Sequence, residues 1–253
     1  MTEQLSIDGL FAKAWIQLDL DLVECSVSTM DAIIDLRPRL SRNQQELFEN
    51  IHKKRLAPYR NVLHSEDREL ASNESDLPLI GYVKEDAFQK LTECVNYAIS
   101  RLNEVLIPAA EGDDKSKTFY YRIKADYYRY LSEFTPPESD KTPFEEARKS
   151  YQEALNLASD RLEPTDPILL GIVLNYSLFI ANFMNDEASA VQLAQDALNK
   201  YYSANEDRNE VDEHEANEER ELINSIEKNV DMWKAERQSD EDEQQGELVS
   251  DDE

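Results

Sequence analysis

Cationic and aromatic side chains concentrate in one segment, residues 118–134, which reads TFYYRIKADYYRYLSEF. The chain carries 54 acidic and 27 basic residues, a formal net charge of −27, so three cations grouped with five tyrosines stand out. On a helix, Arg122 and Arg129 form one stripe with Asp126 and Glu133, beside an apolar stripe. Guanidinium groups match phosphate oxygens bidentately, and tyrosine adds a hydroxyl donor. The segment therefore favours one wall of a phosphate-binding groove.

Three other helices carry mixed stripes beside their apolar faces. Lys53 and Arg60 are seven residues apart, on one side of a helix; taken alone, this pair is more typical of solvated surface charge. Asn175 and Asn182 share a line with Gly171 and Leu178 on an otherwise apolar helix. Buried amides need partners, and hydrogen bonds to another helix or to a ligand backbone explain these equally well.

The third stripe lies near the C-terminus, where Ser225, Asn229 and Met232 flank a core face that ends at Trp233. An amide again stands among apolar residues. Together the four stripes favour a groove with cationic and amphipathic walls, which suits an extended phosphorylated peptide.

Composition excludes several other functions. A pI near 4.4 opposes binding to nucleic acid, which needs a basic surface. We expect no membrane span, because no apolar run looks long enough, and no signal peptide. Two distant cysteines indicate a reducing, cytoplasmic setting. The three histidines lack metal-ligand spacing, and no Gly-rich phosphate loop, HExxH or GxSxG motif occurs, so we predict no metal, no cofactor and no enzyme.

Apolar periodicity near 3.6 predicts an all-α fold of stacked antiparallel helices. We predict helices at residues 6–16, 19–35, 41–64, 79–106, 118–134, 142–161, 166–184 and 186–202, and a last helix ending near 235. Pro58 should kink or shorten the third helix, and Thr142 with Glu145 matches a capping box. Residues 1–235 form the predicted helical domain, and residues 236–253 the predicted disordered acidic tail.

Two blocks of sequence resemble the 14-3-3 family of phosphoserine- and phosphothreonine-binding adaptors. FYYRIKADYYRYLSE at 119–133 is similar to the family's FYLKMKGDYYRYLAE, and PTDPILLGIVLNYSLF at 164–179 to PTHPIRLGLALNFSVF. Weaker similarity covers about residues 6–236. The resemblance implies the family's nine-helix fold, a concave groove, and an adaptor that binds phosphorylated signalling partners.

The resemblance also implies roles for individual residues. Lys53, Arg60, Arg129 and Tyr130 fall at the phosphate-binding positions. The expected groove residues are Lys124, Leu174, Asn175, Leu178, Asn182, Ser225, Asn229, Met232 and Trp233. Asn182 and Ser225 replace a glutamate and a leucine of the family, so specificity around the phosphoresidue should differ. The phosphate-independent alternative is a helical scaffold that binds unmodified amphipathic peptides.

The resemblance implies a homodimer or heterodimer, with one departure. The family pairs charges between its first two helices and its fourth, whereas Leu22, Cys25, Asp86 and Lys90 stand at those positions. We therefore expect atypical dimer geometry, in which Trp15, Ile16 and Leu20 supply an apolar contact.

The acidic tail contains two candidate phosphorylation sites. Ser239 and Ser250 each precede three acids, as at sites of acidophilic kinases of the casein kinase 2 type. For Ser239, the favoured interpretation is that the surrounding acidic segment only increases solubility. Phosphorylated Ser250 would carry roughly −1.5 to −2 charge, and we predict that it occupies the chain's own groove and inhibits it.

Overall fold

The computed structural model describes residues 6–66, 77–136, 138–206 and 213–250. All regular structure in these ranges is helical, which confirms the predicted all-α class. The described residues form nine helices: α1 Ile7–Asp19, α2 Val23–Leu36, α3 Arg42–His64, α4 Leu77–Arg101 with its continuation, α5 Asp114–Ser132, α6 Thr142–Arg161, α7 Pro167–Met184, α8 Glu187–Asn205 and α9 Glu213–Ser250. Helix α4 continues through a π-helical turn, Leu102–Leu106, and a final turn, Ile107–Ala109. Most of the polar loop expected at 66–78 lies outside the described residues.

Acidic side chains cap the N-termini of several of these helices. Asp166 accepts a hydrogen bond from the backbone N–H of Ile168 at 2.9 Å, and Pro167 follows it as the first residue of α7. At the start of α6, the Oδ1 atom of Asp140 accepts a hydrogen bond from the Thr142 N–H at 2.8 Å, and the capping box between Thr142 and Glu145 remains a prediction. A carboxylate two residues earlier satisfies that donor and complements the helix dipole.

Pro58 does not end α3, which runs from Arg42 to His64 with the proline inside it. Of the two predicted outcomes, an early end is therefore wrong, and a kink at Pro58 remains a prediction. Proline lacks an N–H, so the carbonyl of Lys54 loses its usual intrahelical donor. Pro58 is exposed, and water can hydrate that side of the helix, which makes the missing bond tolerable.

The chain divides into two compact units, residues 1–150 and 151–253. In the first unit, α4 packs against both α3 and α5. Side-chain hydrogen bonds join α3 to α5, among them Gln45 to Ser116, Glu49 to Arg122 and Arg60 to Glu133. The partners in these three pairs are 71, 73 and 73 residues apart. A near-constant offset means that α3 and α5 run parallel, so successive turns of one helix meet successive turns of the other.

In the second unit, α7 packs against α8 and α9. The core there consists of Leu170, Val173, Ala194, Leu198, Tyr201, Ile223, Ile226 and Val230. Helix α7 has a mean hydropathy of 1.7 over 18 residues, long and apolar enough to cross a membrane. The expectation that no run reaches that length is therefore wrong. Half of this stretch is buried by its neighbours, as in the core helix of a globular unit.

Helix α9 continues to Ser250, well past its packed part. Trp233 is the last buried residue among those whose burial is described, and residues 234–238 are all exposed. The backbone is helical as far as Ser250, residues 251–253 lie outside the described residues, and the disordered acidic tail remains a prediction. Residues 236–250 include no proline, one glycine and many Glu, Gln and Asp residues. Glu and Gln favour helix, and the packed turns before them remove the cost of nucleation.

Candidate functional site

Helix α5 places Tyr130 at the edge of the first unit's core. Phe119, Ile123, Tyr127 and Leu131 are buried along the same face, as the apolar stripe predicts, and Tyr130 is 8% exposed. The tyrosine ring is thus fixed by packing, while its position next to Arg129 brings it to the charged stripe. This combination gives a rigid aromatic floor beside cationic side chains.

Two guanidinium groups lie on that floor. The Cζ atom of Arg60 is 4.0 Å from the centroid of the Tyr130 ring, and that of Arg129 is 4.6 Å away. Both distances are within the range of cation–π attraction. Because α3 remains helical through Pro58, Arg60 reaches the ring from a separate helix. The structure thus brings together three of the four residues expected to bind phosphate.

Glu133 links the two arginines. Its Oε2 accepts from Arg60 Nη2 at 2.8 Å and Nε at 3.2 Å, and its Oε1 accepts from Arg129 Nη1 at 2.7 Å. His64 Nε2 lies 3.2 Å from the same Oε2. The Glu133 side chain is only 10% exposed. One carboxylate therefore holds both guanidinium groups in a fixed orientation against Tyr130.

The phenol of Tyr130 stays protonated. Burial and the nearby charge of Asp126 raise its pKa to about 12, against the opposing effects of Arg129 and Arg60. A protonated phenol remains a hydrogen-bond donor at any physiological pH. It can therefore donate to an anion held by the two arginines.

Lys53 belongs to an adjoining ion network rather than to the ring itself. Its Nζ lies 2.6 Å from Glu49 Oε1, and Arg122 bonds the same carboxylate at 2.6 and 3.0 Å. Burial alone would raise the pKa of Glu49, but Arg122 and Lys53 outweigh it and lower the pKa to about 2. Asp126 also contacts Arg122, at 3.2 Å. Lys53 is the most exposed of these cations, with 46% of its side chain accessible.

Lys124 is held away from that network. Its Nζ is 3.9 Å from Glu146 Oε2 and 6.0 Å from the centroid of the Tyr128 ring. Both contacts are at the outer limit of their kind. A role for Lys124 beside a ligand remains a prediction.

The remaining predicted site residues lie in the second unit. Leu174, Asn175, Leu178 and Asn229 are half-buried, whereas Asn182, Ser225 and Met232 are exposed. The Ser225 hydroxyl donates to the carbonyl of Glu221 at 2.8 Å. Trp233 is 1% exposed, so it supports this surface from beneath and does not itself present a face to a ligand. The candidate phosphorylation sites, Ser239 and Ser250, lie in the part of α9 whose side chains are not described.

Cations outnumber carboxylates among the contacts that the structure describes around Tyr130. Four cations, Lys53, Arg60, Arg122 and Arg129, are linked there to three carboxylates, Glu49, Asp126 and Glu133, and Arg122, Asp126 and Arg129 make further contacts. In a chain with a net charge of −27, this is a local reversal of sign. A small anion is the ligand that such a cluster can accept.

Sequence reasoning placed Glu133 in the charged stripe of α5 without giving it a role, and it did not single out Glu49. The Arg129–Glu133 and Glu49–Lys53 pairs have the i, i+4 spacing of helical ion pairs. A search for that spacing finds these two pairs but not the arginine of the other helix that bonds each carboxylate. No sequence pattern joins residues 73 positions apart. Among the described residues, no group of three or more His, Cys, Asp or Glu could hold a metal ion.

Comparison with known proteins relates the chain to one group. The family model described as 14-3-3 protein matches residues 14–234. The human 14-3-3 protein beta/alpha is 27% identical over 236 residues, covering 92% of this chain and 94% of its own length. The 14-3-3-like protein 2 of Caenorhabditis elegans is 27% identical over 188 residues (71% and 75%), and the 14-3-3 protein homolog of Candida albicans 30% over 177 (68% and 67%).

Proposed function

The chain belongs to the 14-3-3 family, and from that membership we propose that it binds phosphoserine or phosphothreonine peptides of signalling proteins through the cluster at Tyr130. Proteins of this family are phosphopeptide-binding adaptors and not enzymes. The finer proposal is that Arg60, Arg129 and Tyr130 contact the phosphate directly. Lys53 adds a longer-range attraction from its own network.

The observation that carries this proposal is the placement of two guanidinium groups on one buried tyrosine ring, 4.0 and 4.6 Å from its centroid. A phosphate has three strong acceptor oxygens. Two arginine forks and a phenol hydroxyl are donors of matching number and charge. An unmodified amphipathic peptide would make no use of these cations, so we favour the phosphorylated ligand over the phosphate-independent scaffold.

Fluorescence anisotropy tests this function with three labelled peptide pools of degenerate flanking sequence, whose central residue is phosphoserine, serine or glutamate. We expect the full chain to bind the phosphoserine pool more tightly than the serine pool. Arg129→Ala should remove most of that preference. Arg148→Ala removes a cation from an exposed pair with Glu145 and serves as the matched control. A preference that survives Arg129→Ala unchanged would refute the assigned site.

We further propose that residues of the second unit contact the rest of the peptide. Asn175 and Asn229 would hydrogen-bond the main chain of the peptide, and Leu174, Leu178 and Met232 would accept its apolar side chains. Half-buried amides suit this purpose, because each carries both hydrogen-bond donors and an acceptor for a peptide backbone. Exposed Asn182 and Ser225 are expected to affect specificity more than affinity, and Lys124 to affect it weakly.

Phosphorylated Ser250 is proposed as an internal ligand that inhibits the site. Since the backbone is helical as far as Ser250, the segment after Trp233 must unwind before it can bend back, and that cost sets a limit on the inhibition. The test compares the phosphoserine pool on three chains: phosphorylated full-length protein, phosphorylated Ser250→Ala and a chain ending at Ala235. Equal affinities for all three would refute autoinhibition.

The protein is proposed to form dimers, as 14-3-3 proteins do, through apolar contacts in place of the family's charged pairs. Ile16 and Leu20 are 59% and 65% exposed at the α1–α2 corner, and Tyr82 is 72% exposed near the start of α4. Asp86 and Lys90 pair with each other at 3.8 Å within α4. Sedimentation should give twice the chain mass of 29.3 kDa, and Leu20→Glu should shift it towards the monomer, whereas Leu36→Glu should not.

The cytoplasm is the proposed compartment. Cys25 and Cys94 are both free thiols, as expected where glutathione keeps cysteines reduced. Phosphorylated signalling proteins are available there as partners. Fractionation of cells that express the labelled chain tests this placement.

A further inference from the structure

Glu133 already occupies the donors that a ligand phosphate would need. Its two oxygens accept three hydrogen bonds from Arg60 and Arg129 at 2.7–3.2 Å. The side chain is 10% exposed, and α5 fixes its backbone. A carboxylate therefore sits in the site as a permanent, tethered anion. This inference rests on the proposed function, because it concerns how the same site selects its ligand.

A tethered anion changes which free anions can bind. A ligand carboxylate, with one charge and two oxygens, offers the arginines nothing that Glu133 does not supply. Glu133 also loses little conformational freedom in the contact, since it is held by its helix and by packing. A ligand carboxylate would therefore meet donors already in use and a negative charge beside them.

A phosphate group differs from a carboxylate in its charge and in its number of acceptor oxygens. It carries about −1.5 to −2 charges at neutral pH and has three acceptor oxygens. It can share the two guanidinium groups with Glu133 or displace the Glu133 carboxylate. In either case the phosphate can also accept a hydrogen bond from the Tyr130 hydroxyl. Repulsion by the single charge of Glu133 is offset by the larger attraction of a dianion to two arginines and Lys53.

We propose that Glu133 is a specificity-determining residue: its carboxylate acts as an internal competitor that lets the site accept a phosphate dianion and reject a singly charged carboxylate. The site then distinguishes a phosphoserine partner from a partner with an acidic residue at the same position. Such discrimination matters for an acidic chain, whose own surface carries many carboxylates, and for partners with acidic segments.

A purely orienting role is the competing explanation. If Glu133 only holds the guanidinium groups against Tyr130, its loss should weaken every anionic ligand by a similar factor. If Glu133 competes with ligand anions, its loss should raise the affinity for carboxylate ligands more than the affinity for phosphate ligands. The ratio of two affinities separates these roles, because a general loss of structure leaves the ratio unchanged.

The experiment compares wild type with Glu133→Gln, which keeps the shape and one acceptor oxygen but removes the charge, and with Glu133→Asp, which keeps the charge and shortens the reach. Glu46→Gln, which removes the charge of a half-buried α3 pair with Arg42, is the matched control. Each full-length chain is titrated with the phosphoserine, serine and glutamate pools, and thermal unfolding checks that it is folded.

We expect Glu133→Gln to reduce the phosphoserine-to-glutamate affinity ratio about tenfold, mainly through tighter binding of the glutamate pool. Glu133→Asp and Glu46→Gln should keep the wild-type ratio. Equal loss for both pools, an unchanged ratio in Glu133→Gln, or a ratio that falls as far in Glu133→Asp would each overturn the proposal. A wild type that does not prefer phosphoserine to serine would instead overturn the proposed function, and this inference with it.

Discussion

The two units present their candidate ligand contacts in opposite ways. In the first unit, Arg60 and Arg129 are 27% and 20% exposed and are held by a carboxylate and an aromatic ring. In the second, the corresponding residues are neutral amides and apolar side chains, of which Met232 is 43% exposed. Charges need fixed partners before a ligand arrives, because unpaired buried charges are costly. Neutral amides carry no charge and need no ionic partner.

This difference separates two kinds of recognition. Substitutions in the charged network should change the preference for phosphate over hydroxyl. Substitutions of Asn175 and Asn229 should change affinity for any peptide by the same factor, because every peptide has a main chain. Binding measured with paired phosphoserine and serine pools can therefore assign each residue to one kind or the other.

The largest effect is expected for Arg60→Ala. The change removes the donors that face Glu133 and leaves that carboxylate without one of its two guanidinium partners, so it repels an incoming phosphate. Loss of a hydrogen-bonded charge of this kind costs about 2–3 kcal/mol, or roughly 30- to 150-fold in affinity for the phosphoserine pool. The serine pool should be unaffected. An equal loss in both pools would mean that Arg60 supports the fold and not the phosphate site.

Acid should weaken the first unit before the second. Burial, reinforced by the charge of Arg55, lowers the pKa of His52 from 6.5 to about 3, and the pKa of Glu49 falls from 4.5 to about 2. Both groups bind protons more readily when unfolded. The stability that they contribute is therefore complete above about pH 6.5 and is lost as the pH falls towards 2, first through His52 and then through Glu49.

One titrating proton changes the unfolding free energy by at most about 1.4 kcal/mol per pH unit. Urea unfolding at pH 7 and pH 5 should show this loss in the wild type, and His52→Phe should remove most of it. Hydrogen exchange at the two pH values, corrected for intrinsic rates, should show it in α3 rather than in α8. A pH effect that is the same in His52→Phe, or that falls mainly on α8, would contradict the assignment.

An intermediate effect is expected for Asn229→Ala. Removing one side-chain hydrogen bond to a ligand main chain costs about 1 kcal/mol, so affinity should fall roughly fivefold. The fall should be equal for the phosphoserine and serine pools. Asn224→Ala, an exposed asparagine on the same helix, is the control. A loss confined to the phosphoserine pool would remove the proposed division between the units.

The smallest effect is expected for Lys53→Met, which keeps the aliphatic stem. Lys53 is 46% exposed and shares Glu49 with Arg122, so it contributes an exposed charge of at most about 1 kcal/mol. Affinity for the phosphoserine pool should fall by roughly threefold in low salt and by less in high salt, where exposed charges are screened. A larger, salt-independent loss would place Lys53 in direct contact with the phosphate.

The sequence predicted the parts of the site that depend on a single helix. The apolar stripe of α5 predicted the buried face that includes Tyr130, and the charged stripe beside it predicted the neighbouring arginines. Both follow from helical periodicity, which fixes which residues share a side. It could not predict that Glu49 meets Arg122 or that Arg60 meets Glu133, because those contacts depend on the parallel packing of α3 and α5. The family resemblance supplied the grouping of Arg60 with Arg129.

One expectation failed for a local reason. Pro58 was expected to kink α3 or to end it early, and α3 does not end there. The proline lies on an exposed side of the helix, where water can hydrate the carbonyl that it leaves without a donor. The surroundings of this residue, which the sequence does not show, outweighed its intrinsic tendency to end a helix.

Pro58 also divides the two cations that α3 supplies. A helix that lacks one backbone hydrogen bond bends at that point at low cost, and Lys53 lies on one side of it while Arg60 lies on the other. Both cations are nevertheless tied to α5, Lys53 through Glu49 and Arg122, and Arg60 through Glu133. The packing of α3 on α5, and not an unbroken ladder of backbone hydrogen bonds, therefore sets the distance between the two cations.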